Sequence, residues 1–365
     1  MIFFKAADAG QTAWAAAPGF FREIAMAKTP SSLPSTSLPR RAALIALGAG
    51  LAAPALSRLA GPARAAVLEE LVLFGPPAGP SIVLAQAVAS GALAPLAGKA
   101  SFKVWRNPDE MRAGLTSGTM GALVLPVQVA ANLYNRGMKL KLLNIMTKGL
   151  IYIVSADAGI DGFPALKGRK LAVPFRNDMP DLVVGRLLAH YGLEPGRDIA
   201  IETTGSPIEA MQMLLAGRVD AVLAPEPACT AAAMLGKLGG KDIRRVIDVQ
   251  AVWGEVTGKE PVLPQAGLAL TDALAAAAPG LADGLQAALE AAADKVNADP
   301  AAAAASAASA LEFPEPVLAA SIATSNLVAI RAGKARPAIE AMLSTLAESD
   351  AAIIGGHLPD DGFYL

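Results

Sequence analysis

The stretch from Leu166 to Thr230 limits the fold more than any other part of the chain. Leu166-Lys167-Gly168 leads into an apolar run ending at Pro174, and Phe175 to Pro180 opens an apolar-periodic helix. Asp198 to Thr204 is a second short strand, and Ser206-Pro207 starts another helix. A third strand, Val219 to Ala224, stops at Pro225-Glu226-Pro227. Three strands that each feed a helix through a polar or Pro-bearing loop describe an open α/β sheet, whose carboxyl-end loops are where ligands bind.

At 365 residues the chain has room for two such units. Its 53% hydrophobic content is carried largely by Ala, with 5% aromatic residues, which favours closely packed helical layers over an aromatic core. Charged residues at 17% are too sparse for a disordered or nucleic-acid-coating protein. The single Cys229 excludes an intramolecular disulfide and a cysteine metal cluster. His190 and His357 are too few for a conventional zinc or histidine-triad enzyme.

Residues 1–65 read as processing. Pro39-Arg40-Arg41 precedes a mild apolar run to Leu56, then Gly61 to Ala66, the layout of an export signal cleaved after Ala65. The paired arginines resemble a twin-arginine signal, although Pro39 and Ala43 replace the usual Ser/Thr and Phe. The run is shorter than the roughly 20 residues of a membrane span, and no Cys stands at the cleavage site for lipidation. Residues 1–25 precede the basic segment, and Met26 would make a more ordinary start. Cleavage would take 31 basic and 32 acidic residues down to 24 and 30, a net charge of −6. Such a chain has no electrostatic call for nucleic acid or anionic lipid.

Within the remainder, strands are predicted at Leu68–Phe74, Ser101–Arg106, Leu140–Met146 and Leu150–Ser155. Gly118 to Pro126 echoes Gly217 to Pro225: a helix stop, a short buried strand, and a proline. The connection Ala156–Pro164 is the expected boundary between lobes. Later come a strand at Ile243–Val249, a loop at Trp253–Pro264 and a return strand at Ala266–Thr271. Helices are then predicted at Asp272–Asn297, Ala301–Leu311, Pro316–Ile330 and Pro337–Glu348, and the aromatic tail Gly355–Leu365 is expected to dock on the body. The resulting division is 66–155 and 262–365 for the first lobe and 156–261 for the second.

The run LKGRKLAVP, then LLAHYGLEPGRDIAIE, then EAMQMLLAGRVDAVLAPEP, from Leu166 to Pro227, resembles the nitrate/sulfonate/taurine class of substrate-binding proteins of ABC importers. The likeness loosens over Leu68–Ser155 and is faint in the helical C-terminus. It implies the two-lobed type II periplasmic binding protein fold: two mixed β-sheets flanked by helices, joined by two crossings. It further implies a monomer in the periplasm, a small solute held between the lobes, permease and ATPase partners, and no cofactor or catalysis.

On the residues themselves, Arg176, Asn177 and Asp178 precede the helix begun near Pro180, where free N–H groups and the helix dipole favour an anion. Thr203, Thr204, Gly205 and Ser206 form a second helix start, and Glu226 lies at a third. Ala78, Gly79, Ser81, Gln128, Thr147 and Lys148 would face them from the other lobe. Every one of these also fits a plain capping or surface role. Thr147-Lys148-Gly149 departs from the class, where an aromatic often precedes the glycine. A small, anionic solute is expected. The alternatives are an enzyme on the same fold, of pyrimidine-precursor or menaquinone-pathway type, or a solute sensor for a membrane kinase.

Overall fold

A computed structural model describes residues 67–365. The expected export signal and upstream extension lie outside the described residues. In chain order, β1 (Leu68–Gly75), α1 (Pro80–Ala89), β2 (Ala97–Val104), α2 (Pro108–Thr116), β3 (Ala122–Pro126), α3 (Val127–Asn135) and β4 (Leu140–Thr147) come first. Next are β5 (Ile151–Ser155), β6 (Lys170–Pro174), α4 (Met179–His190), β7 (Ala200–Thr204), α5 (Pro207–Leu215), β8 (Ala221–Pro225), α6 (Ala228–Leu238), β9 (Arg244–Asp248) and α7 (Val249–Thr257). The chain continues through β10 (Ala266–Thr271), α8 (Asp272–Ala277), α9 (Leu281–Ala298), α10 (Pro300–Leu311), α11 (Glu315–Ser325), β11 (Leu327–Arg331) and α12 (Ala332–Ala347).

Two mixed sheets result, as the sequence led us to expect. One has the order β11-β4-β10-β3-β1-β2 and the other β7-β6-β8-β5-β9. Read from β2 and from β7, both follow one scheme: second strand, first, third, a strand lent by the crossing, then fourth. The lent strands, β10 and β5, are antiparallel to their neighbours, while β1 pairs parallel with β2 and β3, and β6 with β7 and β8. The repeated Gly-to-Pro segment has a topological meaning here, since β3 and β8 occupy the same place in the two sheets. Gly118 and Gly217 precede them with φ of 74° and 70°, the left-handed geometry that lets a helix stop abruptly.

Local chemistry starts the helices. Asn107 Oδ1 accepts the Glu110 N–H at 2.9 Å, with Pro108 in the first turn of α2. Ser206 accepts from Glu209 N at 3.1 Å while the Glu209 carboxylate accepts Gly205 N at 2.8 Å, a reciprocal cap on α5. Alanine lets the C-terminal helices approach closely. Ala292, Ala293, Ala303, Ala304 and Ala307 are all buried against the first sheet's flank, each methyl contributing roughly 0.8 kcal/mol. The tail docks as expected: Phe363 is fully buried, Tyr134 Oη donates to Asp360 at 2.5 Å, and Leu365 N donates to Leu142 O at 2.9 Å.

Three expectations need correction. The passage between sheets lies at residues 148–150, ahead of β5, and not at 156–164. Gly149, at φ 133°, turns the chain directly into the second sheet, where β5 pairs with β8 and β9. The segment read as a loop from Trp253 begins inside α7. Asp248 Oδ1 caps that helix by accepting Gln250 N and Ala251 N, and Gly258 ends it in the left-handed region. The helix predicted over Pro316–Ile330 stops at Asn326, whose φ is 46°, and Leu327–Arg331 becomes the edge strand β11. Asn tolerates the left-handed stop, and the Val and Ile that follow suit a strand.

Candidate functional site

The carboxyl ends of β1, β3, β6 and β8 converge where the two sheets face each other. Between them is a cavity of about 90 Å³. Pro76, Ala78, Trp105, Leu125 and Pro126 line it from the first sheet, and Ile151, Phe175, Asp178, Met179 and Pro225 from the second. Gln265 and Ala266, at the start of the return strand β10, close one side. The sheets touch around this space. Gly79 N donates to Glu226 O at 3.1 Å, and Asp178 accepts from Gln128 Nε2 at 3.0 Å and Arg112 at 3.3 Å.

Asp178 caps α4 by accepting Met179 N at 2.8 Å, so a carboxylate of the chain itself sits where an anion was expected. It is 4% exposed, and Arg112 reaches it from the solvent side. The preceding turn has Phe175 and Asn177 at φ near 60°, which swings Arg176 and Asn177 outward; both are exposed. Ala78 lies on the cavity wall. Ser81 is buried, and its hydroxyl donates to Pro76 O at 2.5 Å, bracing the loop after β1. Gln128 is buried one hydrogen bond behind the wall, with its Oε1 unpartnered.

The other predicted residues go elsewhere. Thr147 is buried, donating to Ser325 O at 2.8 Å and accepting Gly149 N at 2.9 Å, while Lys148 is exposed. Thr204, Gly205 and Ser206 satisfy the turn into α5, with Thr204 Oγ1 donating to Ser206 O at 3.1 Å; Thr203 is exposed. Glu226 is fully buried and saturated. One oxygen accepts from Arg245 Nε at 2.6 Å, from Arg245 Nη2, and from Thr324 Oγ1 at 2.8 Å. The other accepts from Thr230 N at 3.1 Å and Thr230 Oγ1 at 2.8 Å. Because Thr324 belongs to α11, this cluster fastens the second sheet to the helices of the first. Tyr152 strengthens it by donating to Thr324 O at 2.8 Å; burial, with Asp248 and Glu226 nearby, pushes its phenol up to about 12.

Trp105, Phe175, Gln265 and the wall prolines were missed from sequence. Trp105 follows a strand and stands two residues before the Asn107 cap of α2, while Gln265 immediately precedes a strand, so each sits in the position class that carries ligands.

Residues 87–311 match the family model described as the NMT1-like family. The chain belongs to the NMT1-like family. Solved structures share its fold. An ABC transporter protein from Parabacteroides distasonis is 24% identical, with a TM-score of 0.66, over 82% of this chain and 98% of that one. The periplasmic aliphatic sulphonate binding protein SsuA of Escherichia coli is 18% identical with a TM-score of 0.61, covering 80% and 92%. The periplasmic nitrate-binding protein NrtA of Synechocystis PCC 6803 is 14% identical with a TM-score of 0.56, covering 68% and 69%. No curated protein matches the sequence. For this NMT1-like chain the resemblance to the nitrate/sulfonate/taurine class is therefore borne out in family and fold. Among the described residues, no helix is long and apolar enough to cross a membrane.

Proposed function

We propose that this chain is the solute-binding component of an ABC importer, working outside the cytoplasm. It closes on one small solute between its two sheets and delivers it to a membrane permease driven by an ATPase subunit. The observation that carries this reading is the half-open cavity at the strand carboxyl ends of two sheets built to the same scheme. Its walls belong to both sheets, so occupancy favours the closed arrangement by the contacts made only there. The class of the structural neighbours supports the reading, as does the export-signal layout of Pro39 to Ala66, and the protein is proposed to act as a monomer. The domain division proposed is 66–155 with 262–365, and 156–261, amended at residues 148–150.

An enzyme on this fold would need a nucleophile or base at the cavity. Cys229 is a poor one: it is fully buried, its thiol donates to Ala224 O at 3.1 Å, and burial raises its pKa well above the ordinary range. A sensor would keep the same cleft and exchange the permease for a kinase, so the neighbouring genes distinguish the two. The test is a thermal-shift screen of the full chain against nitrate, sulfonates, carboxylates, amines and pyrimidines. A solute at 100 times its Kd stabilises by about 2.7 kcal/mol, a rise of roughly 4–5 °C at this size. Turnover of a small substrate with no stabilising solute would overturn the proposal.

A further inference from the structure

Granted that the cavity holds the solute, the chemistry of its wall narrows the solute's class. Six wall residues are prolines: Pro76, Pro80, Pro108, Pro126, Pro180 and Pro225. Proline has no N–H. Pro80, Pro108 and Pro180 stand in the first turns of α1, α2 and α4, the very places from which a free N–H would reach an anion. Most of the remaining donors at the wall are already engaged, the exceptions being the Leu150 N–H and the Gln265 amide NH₂. Gly79 N is held by Glu226 O, Met179 N by Asp178 Oδ1, Phe175 N by Thr204 O at 3.0 Å, and Trp105 Nε1 by Val124 O at 2.9 Å. None of the residues lining the cavity is Lys, Arg or His.

What the wall offers instead is acceptors. Asp178 and Gln265 are 4% and 7% exposed, and Gln265 Oε1 has no hydrogen-bond partner. Just behind, Gln128 must turn its NH₂ to Asp178, which fixes its own Oε1 as a second unpartnered acceptor. A buried acceptor without a donor is costly, and a buried oxyanion beside a carboxylate with no cation on the wall to meet it is costlier. A solute bringing its own N–H removes the first cost and avoids the second.

We infer that the cleft takes a small, mostly apolar solute carrying an N–H donor, an amine or an N–H heterocycle, and rejects oxyanions. This departs from the anionic solute that the helix starts suggested, because those starts are proline-blocked or already capped.

Trp105 lies on the wall and reports occupancy. The full-length chain is titrated at millimolar concentrations with two matched pairs, imidazole against nitrate and ethylamine against methanesulfonate. Tryptophan fluorescence and melting temperature are followed, with W105F identifying the signal from the wall. The N–H probes should bind at least ten times more tightly than their paired anions. Gln265→Leu, which removes the acceptor without touching a helix cap, should weaken them tenfold or more, and Asp178→Asn likewise. Equal or tighter binding of nitrate or methanesulfonate overturns the inferred class while leaving a solute-binding cleft in place. Silence from all four probes also overturns the class; the cleft reading falls only if the broad solute screen is silent as well.

Discussion

Replacing Glu226 by Ala should lower the melting temperature by roughly 4–6 °C without altering the strand order. The side chain is fully buried and takes hydrogen bonds from Arg245, Thr230 and Thr324. Removing it leaves the Arg245 guanidinium without its counterion and strands two hydroxyls and one backbone N–H. Breaking a buried ion pair from one side costs about 3–5 kcal/mol. Arg245 keeps 28% of its side-chain surface in water, so about 3 kcal/mol is the working figure. At about 1.5–2 °C per kcal/mol, which the unfolding entropy per residue gives for a chain of about 300 residues, that gives the stated range. Glu226→Gln keeps acceptors for Thr230 and loses the charge, so it should fall in between. Thr324→Val removes only the leg that reaches α11 and should cost about 1 kcal/mol. In the double variant the two effects should be non-additive by at least about 0.5 kcal/mol, since they share a network. The assay is calorimetric or fluorescence-detected melting of the parent and the four variants. An E226A melt within about 2 °C of the parent would refute the claim that this cluster fastens the second sheet to the first sheet's helices.

Further expectations rest on single positions. Gly149→Ala should destabilise by at least about 2 kcal/mol, because φ is 133° and an added Cβ would lie 1.8 Å from Gln250 Cγ; denaturant melts check it. Asn107→Ala should cost about 1 kcal/mol through loss of the cap on Glu110 N, read in the same way. The tail clip should weaken at both ends of the pH scale. Its Tyr134 hydrogen bond holds the Asp360 carboxyl below 3.8, a stabilisation present above the unfolded value and lost as pH falls through the depressed one. The same bond pushes the Tyr134 phenol from 10 to about 12, a contribution complete below pH 10 and lost between 10 and about 12. Amide exchange across residues 355–365 should therefore be best protected at intermediate pH; Tyr134→Phe should remove the alkaline limb and reduce the acid one, where the Gly362 N–H still holds Asp360.

The sheet architecture was legible because Leu166–Thr230 states it locally: each strand ends in a turn and each helix begins at a capping residue. Ser206 was read as a helix start, and its side chain does make that cap. The site was harder. Helix starts attract attention as anion sites, yet Asp178, Ser206 and Pro80 show that a start can be filled from within the chain. Trp105 and Gln265 acquire their meaning from neighbours more than 15 residues away, brought close by sheet pairing, which no local pattern records. Glu226 was singled out for its place after β8, but its contacts with Arg245 and Thr324 come from strand and helix packing. The short passage at Lys148–Leu150 was misplaced for a physical reason as well: three residues suffice when the middle of the turn rests on a glycine in a conformation other residues avoid.

The central claim is that one small solute occupies the cavity between the sheets, and native mass spectrometry tests it most directly. The full-length chain, purified without denaturant from cells grown in rich medium, should carry a single small molecule at up to one per chain. Ala266→Phe, which fills the cavity from β10, should remove that molecule and leave the protein folded. A chain that never carries a solute under any of the screened conditions, or a filled variant that carries it equally well, would contradict the account.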